Sequence, residues 1–235
     1  MTAALVGTAV AAERAAEIAA IHLEALGGRE RVAALTAVRM AGTVVTADGR
    51  TVPIVLLAAR PRQLRLEMEL AGRTVVRGTD GVRPPWQFDP ASPVRVSVLS
   101  GAEAEDFVAD ADFDDPLVPR SEGGPRLEFA GEATVGGERQ IRVFVVRSPA
   151  ETVLLTLDPT TYLIRQRIQQ RIRDGRRVEL ATRYSDYRPV QGVMLAHTVE
   201  MFEDGRRTQR AAFTRIEPNP AVRAADFAPP GPVRL

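Results

Sequence analysis

From Val38 to Arg77 and again from Arg126 to Ile216 apolar side chains recur at every second position, and Asp-Gly, Gly-Gly and proline break the recurrence at short intervals. A repeat of two matches the pleat of a β-strand and not the turn of a helix, so most of this chain can only fold as sheet. The clearest case is Leu64-Arg65-Leu66-Glu67-Met68-Glu69-Leu70, whose strict alternation turns one side to a core and the other to water. Strands are expected at 38–47, 51–59, 64–70, 74–77, 126–135, 138–147, 151–157, 162–172, 177–187, 193–202 and 206–216, or roughly ten or eleven in all.

The turns set the pairing. Asp48-Gly49 predicts a two-residue hairpin with Val45 opposite Val52. At Asp174-Gly175 a two-residue turn would put Ile168 opposite Ala181 and Arg165 opposite Tyr184, mixing the faces. A three-residue loop of Arg173, Asp174 and Gly175 instead opposes Ile168 to Leu180 and Ile164 to Tyr184, and keeping one face apolar favours it. It also leaves Arg165, Arg167 and Arg171 on the outer face. Tyr184 to His197 reads as the corner between two long strands, with Pro189 unable to donate to a ladder and Gly192 free to take a positive φ.

Helical signals are few. Residues 11–26 are Ala-rich, carry Ile18, Ile21, His22 and Leu26 on one stripe, and should end in a left-handed cap at Gly27-Gly28. A short turn follows at 29–35. Residues 100–112 read as a helix capped by Ser100, with Glu103 closing a capping box and Phe107 and Ala111 sharing a face. Pro84-Pro85 makes the segment around Trp86 and Phe88 too proline-rich for a central strand. So many twisted strands cannot stay flat. The expected architecture is mainly β with an α cover: a curved antiparallel half-barrel wrapped around an N-terminal helix and a mid-chain helical insertion. Residues 1–235 are expected to form one domain, with the loop and helix at 79–120 as a lid.

Composition narrows function. With 31 basic and 30 acidic side chains there is no net field to draw the chain onto nucleic acid. Every basic residue is Arg, which marks genome composition more than function. Cysteine is absent, removing disulfides, thiolate metal sites and thiol nucleophiles. The apolar run within residues 1–12 could be a residual signal segment, although it has no basic flank.

Reactive constellations are scarce. His22 belongs to a helical apolar stripe and His197 to a strand, so each is expected to be a packed or surface ring. Asp110 to Asp115 opens like a calcium loop but has Asp115 where glycine is needed and Ser121 where the closing glutamate belongs. Arg165, Arg167, Arg171, Arg173, Arg176 and Arg177 form a basic patch, expected to be a solvated face in preference to a docking site for an acidic partner or phospholipid heads. Trp86, the one tryptophan, is either a plug at the end of the sheet or a cavity wall. No catalytic residue, metal site or cofactor is assigned, and no enzyme activity is expected.

Several stretches, in order along nearly the whole chain, resemble the outer-membrane lipoprotein-sorting superfamily of LolA-like and LolB-like carriers and the related periplasmic sensor RseB. They are His22-Leu-Glu-Ala-Leu-Gly-Gly-Arg-Glu-Arg-Val-Ala-Ala-Leu35 with Gly42-Thr-Val44, Asp80-Gly-Val-Arg-Pro-Pro-Trp86, Ala111-Asp-Phe113-Asp-Asp-Pro-Leu117, Gly131-Glu132 with Gly136-Gly137, Leu157-Asp158 through Tyr162-Leu163, Tyr184-Ser-Asp-Tyr187 through Gly192-Val193, and Ile216-Glu-Pro-Asn219 with Phe227-Ala-Pro-Pro230. The resemblance implies a periplasmic, non-enzymatic carrier whose apolar half-barrel cavity takes the acyl chains of lipids or lipoproteins. Membrane-bound donor and acceptor proteins would be its partners, and a monomer is expected. Leu66, Met68, Trp86, Phe107, Phe113, Leu117 and Phe129 are the candidate ligand-binding residues. The alternative is an RseB-like sensor or scaffold that binds a protein partner through a sheet edge or the arginine face.

Overall fold

A computed structural model of the protein describes residues 2–112, 114–118, 124–148, 151–173 and 175–232, with side chains from residue 10 onward. Thirteen strands are present among these residues: β1 (Ala37–Thr46), β2 (Thr51–Ala59), β3 (Gln63–Leu70), β4 (Arg73–Thr79), β5 (Trp86–Phe88), β6 (Val96–Val98), β7 (Arg126–Val135), β8 (Glu138–Ser148), β9 (Glu151–Leu157), β10 (Ile164–Arg173), β11 (Arg176–Val190), β12 (Val193–Glu203) and β13 (Arg206–Pro218). The helices are α1 (Thr2–Ala25), α2 (Arg29–Ala34) and α3 (Gly101–Asp110), with a 3-10 turn at Ala224–Phe227. The strands form one open antiparallel sheet in the order β6-β5-β4-β3-β2-β1-β13-β12-β11-β10-β9-β8-β7.

The count exceeds the expected ten or eleven because β5 and β6 lie in the segment where proline argued against sheet. Both are three residues long, and they end the sheet, so Pro84 and Pro85 stay outside the ladder. The chain divides into two compact units: Met1–Val32 with Asp114–Gln209, and Ala33–Phe113 with Arg210–Leu235.

In the first unit α1 lies on the core of β7–β10. Ala15, Ile18 and Ala19 pack with Leu117, Ile141, Val143, Val145, Val153, Leu155, Leu157 and Ile164. The helix ends as its Gly-Gly signal predicts. Gly28 N–H donates to Leu23 O and Gly27 N–H to Glu24 O, with Gly27 at φ 121. A Cβ on Gly27 would sit 2.0 Å from Gly192 O, so glycine is what lets the helix end meet the β11–β12 turn, where Met194 N–H donates to Leu26 O. That turn is Gln191-Gly192, both at positive φ, between the paired Val190 and Val193.

Two hairpin registers depart from expectation, in opposite senses. At Asp48-Gly49 the loop has three residues: Thr46 N–H donates to Arg50 O, Gly49 alone takes a positive φ, and Val44 rather than Val45 faces Val52. At Asp174-Gly175 it has two: Arg173 pairs with Arg176, Ile168 with Ala181 and Gln169 with Leu180. The three-residue loop was favoured to keep one face apolar, but the buried Val178 and the open Ile172 lie on opposite faces of this hairpin end. Ile172 is 66 % exposed, so mixing the faces is tolerated there.

In the second unit the N–H of Ala37 and the N–H and hydroxyl of Thr36 donate to the Asn219 side-chain oxygen, and the Asn219 amide donates to Ala34 O. α3 starts at Ser100, but the capping box does not form: Ser100 makes no side-chain cap bond, and Glu103 instead pairs with Arg77 on β4 at 2.6 Å. The expected helical cover is thus divided, with α1 in the first unit and α3 in the second.

Candidate functional site

Directly opposed residues in an antiparallel ladder point to the same face. In the second unit this yields one apolar face. Val38, Met40 and Gly42 on β1 oppose Ala58, Leu56 and Ile54 on β2, which oppose Leu64, Leu66 and Met68 on β3. Val38, Ile54, Ala58 and Leu64 are buried, whereas Met40, Leu56, Leu66, Met68 and Leu70 keep part of their surface open. Leu66 pairs onward with Arg77, whose Nε donates to Gln87 Oε1 and whose guanidinium pairs with Glu103, so α3 is tied to this face. Phe107 of α3 is buried.

Trp86 lies on the other face. It pairs with Gly78, and a Cβ there would sit 2.3 Å from the indole, so only glycine lets the ring lie against β4. The indole N–H donates to Phe227 O at 3.0 Å, and Phe227 packs on Ala37, Ala59 and Leu57. Trp86 is 3 % exposed and ties down the C-terminal segment. In the first unit Leu117 is fully buried in the core, and Phe129 is half-buried against it. Phe113 lies outside the described residues. Within the second unit, therefore, Leu66 and Met68 share the open apolar face and Trp86 does not.

Sequence reasoning missed Met40 and Leu56, which complete a rung with Leu66. The one-residue error at Asp48-Gly49 placed Leu57 opposite Met40 and hid the rung. Two grooves among the described residues, one of about 1030 Å³ beside Phe144 and Val146 and one of about 370 Å³ beside Arg39 and Asp226, are lined by none of the seven candidates.

A second missed constellation is polar. His22 is 1 % exposed; its Nδ1 lies 2.7 Å from Tyr162 O and its Nε2 2.9 Å from Asp115 Oδ2. Tyr162 takes φ 57 in a turn whose Thr160 and Thr161 N–H groups donate to Asp158, which aims its carbonyl at the ring. Burial alone lowers the imidazole pKa, but the hydrogen bond and charge of Asp115, with the Tyr162 carbonyl, raise it overall above the ordinary value. Tyr187 donates to Ile164 O at 2.8 Å, and burial pushes its phenol well up, with the charge of Asp115 adding to the rise. Asp115 belongs to the run that resembles a calcium loop, which is described only in part. Among the described residues no group of three or more His, Cys, Asp or Glu could hold a metal ion, and no helix is long and apolar enough to cross a membrane.

No protein-family model matches the sequence, and no curated protein matches it. Solved structures do match in fold. A domain from Vibrio parahaemolyticus named for outer membrane lipoprotein sorting aligns over 92% of this chain and 97% of its own, with 13% identity and a TM-score of 0.62. A LolA superfamily protein from Nitrosomonas europaea aligns over 83% and 90%, with 15% identity and a TM-score of 0.55. A DUF1329 family protein from Desulfovibrio piger aligns over 93% and 97%, with 11% identity and a TM-score of 0.62. Along nearly its whole length the chain shares the fold of LolA superfamily and lipoprotein-sorting proteins.

Proposed function

We propose that the protein is a non-enzymatic carrier of the periplasm that binds lipid or lipoprotein acyl chains on the apolar face built by β1, β2 and β3. The observation that carries this reading is the rung Met40–Leu56–Leu66 with Met68 and Leu70 beside it: adjacent apolar side chains that folding leaves partly open. Isolated exposed apolar residues are ordinary, but a contiguous row of them marks a binding surface. The shared fold with a domain named for lipoprotein sorting supports the same reading.

The energetics need no reactive group. A chain of about sixteen methylenes gains on the order of 10 kcal/mol on leaving water. Association takes back several kcal/mol or more, so binding in the micromolar range is expected.

The test is mass spectrometry of an organic extract of purified protein. Wild type should release acyl lipid in amounts comparable to the protein, and Leu66→Asp with Met68→Asp should release several-fold less while keeping wild-type circular dichroism. Both side chains are only partly buried, so the charges can reach water and the fold should survive. An extract free of acyl lipid, from protein that also fails to take up added fatty acid, overturns the reading.

A further inference from the structure

The first unit carries a face that the acyl-chain reading leaves unused. β10 turns Arg167, Gln169 and Arg171 to the side of the buried Leu155, Val153 and Val178, so the two arginines leave the outer face expected from the sequence. The alternate residue Ile168 belongs to the opposite face, and its cross-strand partners extend that face in both directions. Ile168 opposes Leu154 on β9 and Ala181 on β11; Leu154 opposes Phe144 on β8, and Ala181 opposes Phe202 on β12. The five make an apolar row across neighbouring strands, about 19 Å long at the usual strand spacing. None of them belongs to the core beneath α1, which takes the alternate residues Val143, Val153 and Leu155. Phe144 is 36 % exposed, Leu154, Ile168 and Phe202 are half-buried, and only the small Ala181 is covered. A contiguous open row of this kind marks an interaction surface.

Two residues along each strand lies a parallel polar rung: Arg142 on β8, Thr156 on β9, Gln166 on β10, Arg183 on β11 and Glu200 on β12. Its ends carry opposite charges. Arg142 is half-buried and has no carboxylate partner among the described residues; its Nη2 donates to Ala130 O at 3.1 Å, and its Nε is buried without an acceptor. A guanidinium withdrawn from water in this way favours a neighbour that supplies a carboxylate. Glu200 is held by the exposed Arg207 at 2.8 Å, and the Arg183 guanidinium lies 4.4 Å over the Phe202 ring.

The order of these residues selects what covers them. β10 is the middle strand of the five, so a two-fold axis along it lays β8 of one copy on β12 of another and β9 on β11, with the strands aligned as in face-to-face sheet packing. Phe144 then meets Phe202 of the second copy, Leu154 meets the small Ala181, and Ile168 meets itself, large against small on either side of the axis. In the polar rung the same operation sets Arg142 against Glu200, the carboxylate that Arg142 lacks in its own chain. We propose that the outer face of β8–β12 docks on the same face of a second copy about this axis, forming an isologous dimer. The dimer replaces the monomer expected from the sequence, and it stands or falls separately from the acyl-chain reading.

The experiment is sedimentation equilibrium at low salt, over micromolar to submillimolar protein, of wild type, Arg142→Glu, Glu200→Arg and Arg142→Glu/Glu200→Arg. Wild type should dimerise, each single variant should raise the dissociation constant about tenfold or more, and the charge-swapped double variant should recover most of that loss. Within one chain the two sites are four strands apart, about 19 Å, too far to couple, so a recovery can act only between copies. Wild type that stays monomeric overturns the proposal, and if it also floats with phosphatidylglycerol vesicles the face belongs to a lipid surface. Single variants that dimerise like wild type move the contact off this face, and a double variant that shows only the combined loss overturns the axis. Because the chain has no cysteine, Ile168→Cys gives a reading that needs no charge change. A short bismaleimide should link it into dimers several-fold faster than Val135→Cys, which is 58 % exposed and off the row; equal rates overturn the proposal.

Discussion

Replacing His22 by Leu tests the polar centre of the first unit. Both ring nitrogens face atoms that only accept: the Tyr162 carbonyl at 2.7 Å and an Asp115 carboxylate oxygen at 2.9 Å. A neutral imidazole has one N–H and can serve one of them, so the geometry calls for the doubly protonated ring. Leucine is close in volume and removes both donors. Losing a hydrogen bond to a charged partner costs about 1.5–3 kcal/mol and one to a carbonyl about 1 kcal/mol. Asp115 still accepts from Leu117 N–H and its side chain is 19% exposed, which softens its loss. The expected destabilisation is therefore about 3 kcal/mol at low pH.

The pH dependence follows from the raised pKa. The stabilisation is fully present below the unfolded imidazole pKa of about 6.5 and is lost as pH rises through the higher folded value. Urea unfolding of wild type and His22→Leu from about pH 5.5 to 9 should show the gap between them narrowing as pH rises. A gap that stays constant, or one that widens with pH, would refute the argument that the buried ring is charged.

Other substitutions probe separate parts of the fold. Gly78→Ala should cost about 1–3 kcal/mol and shift Trp86 emission, because the added methyl meets the indole; unfolding followed by fluorescence checks both. Asp158→Asn tests a turn. Burial works against the Asp158 charge, but the N–H groups of Thr161 and Thr160 and the guanidinium of Arg165 outweigh it and hold the carboxyl below the usual range. Its contribution is present above the unfolded pKa of about 3.9 and is lost as pH falls through the lower folded value. Acid titration should therefore find Asp158→Asn weaker at neutral pH, by about 1 kcal/mol, with a shallower acid limb. Tyr187→Phe should cost about 1 kcal/mol by chemical denaturation, since Ile164 O loses its phenol donor.

Period two and the turn residues carry the strands plainly, because a half-buried strand must alternate whatever its neighbours are. Register is less legible. Asp-Gly occurs at 48–49 and 204–205, yet Asp204 takes φ 47 in a turn with both residues left-handed, while at the first site Gly49 alone does. The dipeptide permits both and the flanking pairs decide. The error at Asp48-Gly49 concealed Met40 and Leu56 as companions of Leu66. The His22–Asp115 pair joins residues 93 positions apart, and nothing in the local pattern of either announces the other. Trp86 was legible as a plug or a cavity wall, but its face follows from pairing with Gly78 in a strand that proline argued against.

The central claim is that partly open apolar rungs bind acyl chains by excluding water. Affinity for neutral alkyl maltosides of increasing chain length, all below micelle formation, tests it most directly. Each buried methylene contributes about 0.8 kcal/mol, so dissociation constants should fall about fourfold per added carbon until the face is filled, and the slope should flatten in Leu66→Asp/Met68→Asp. Affinities independent of chain length, or a slope unchanged by the two aspartates, would contradict the account.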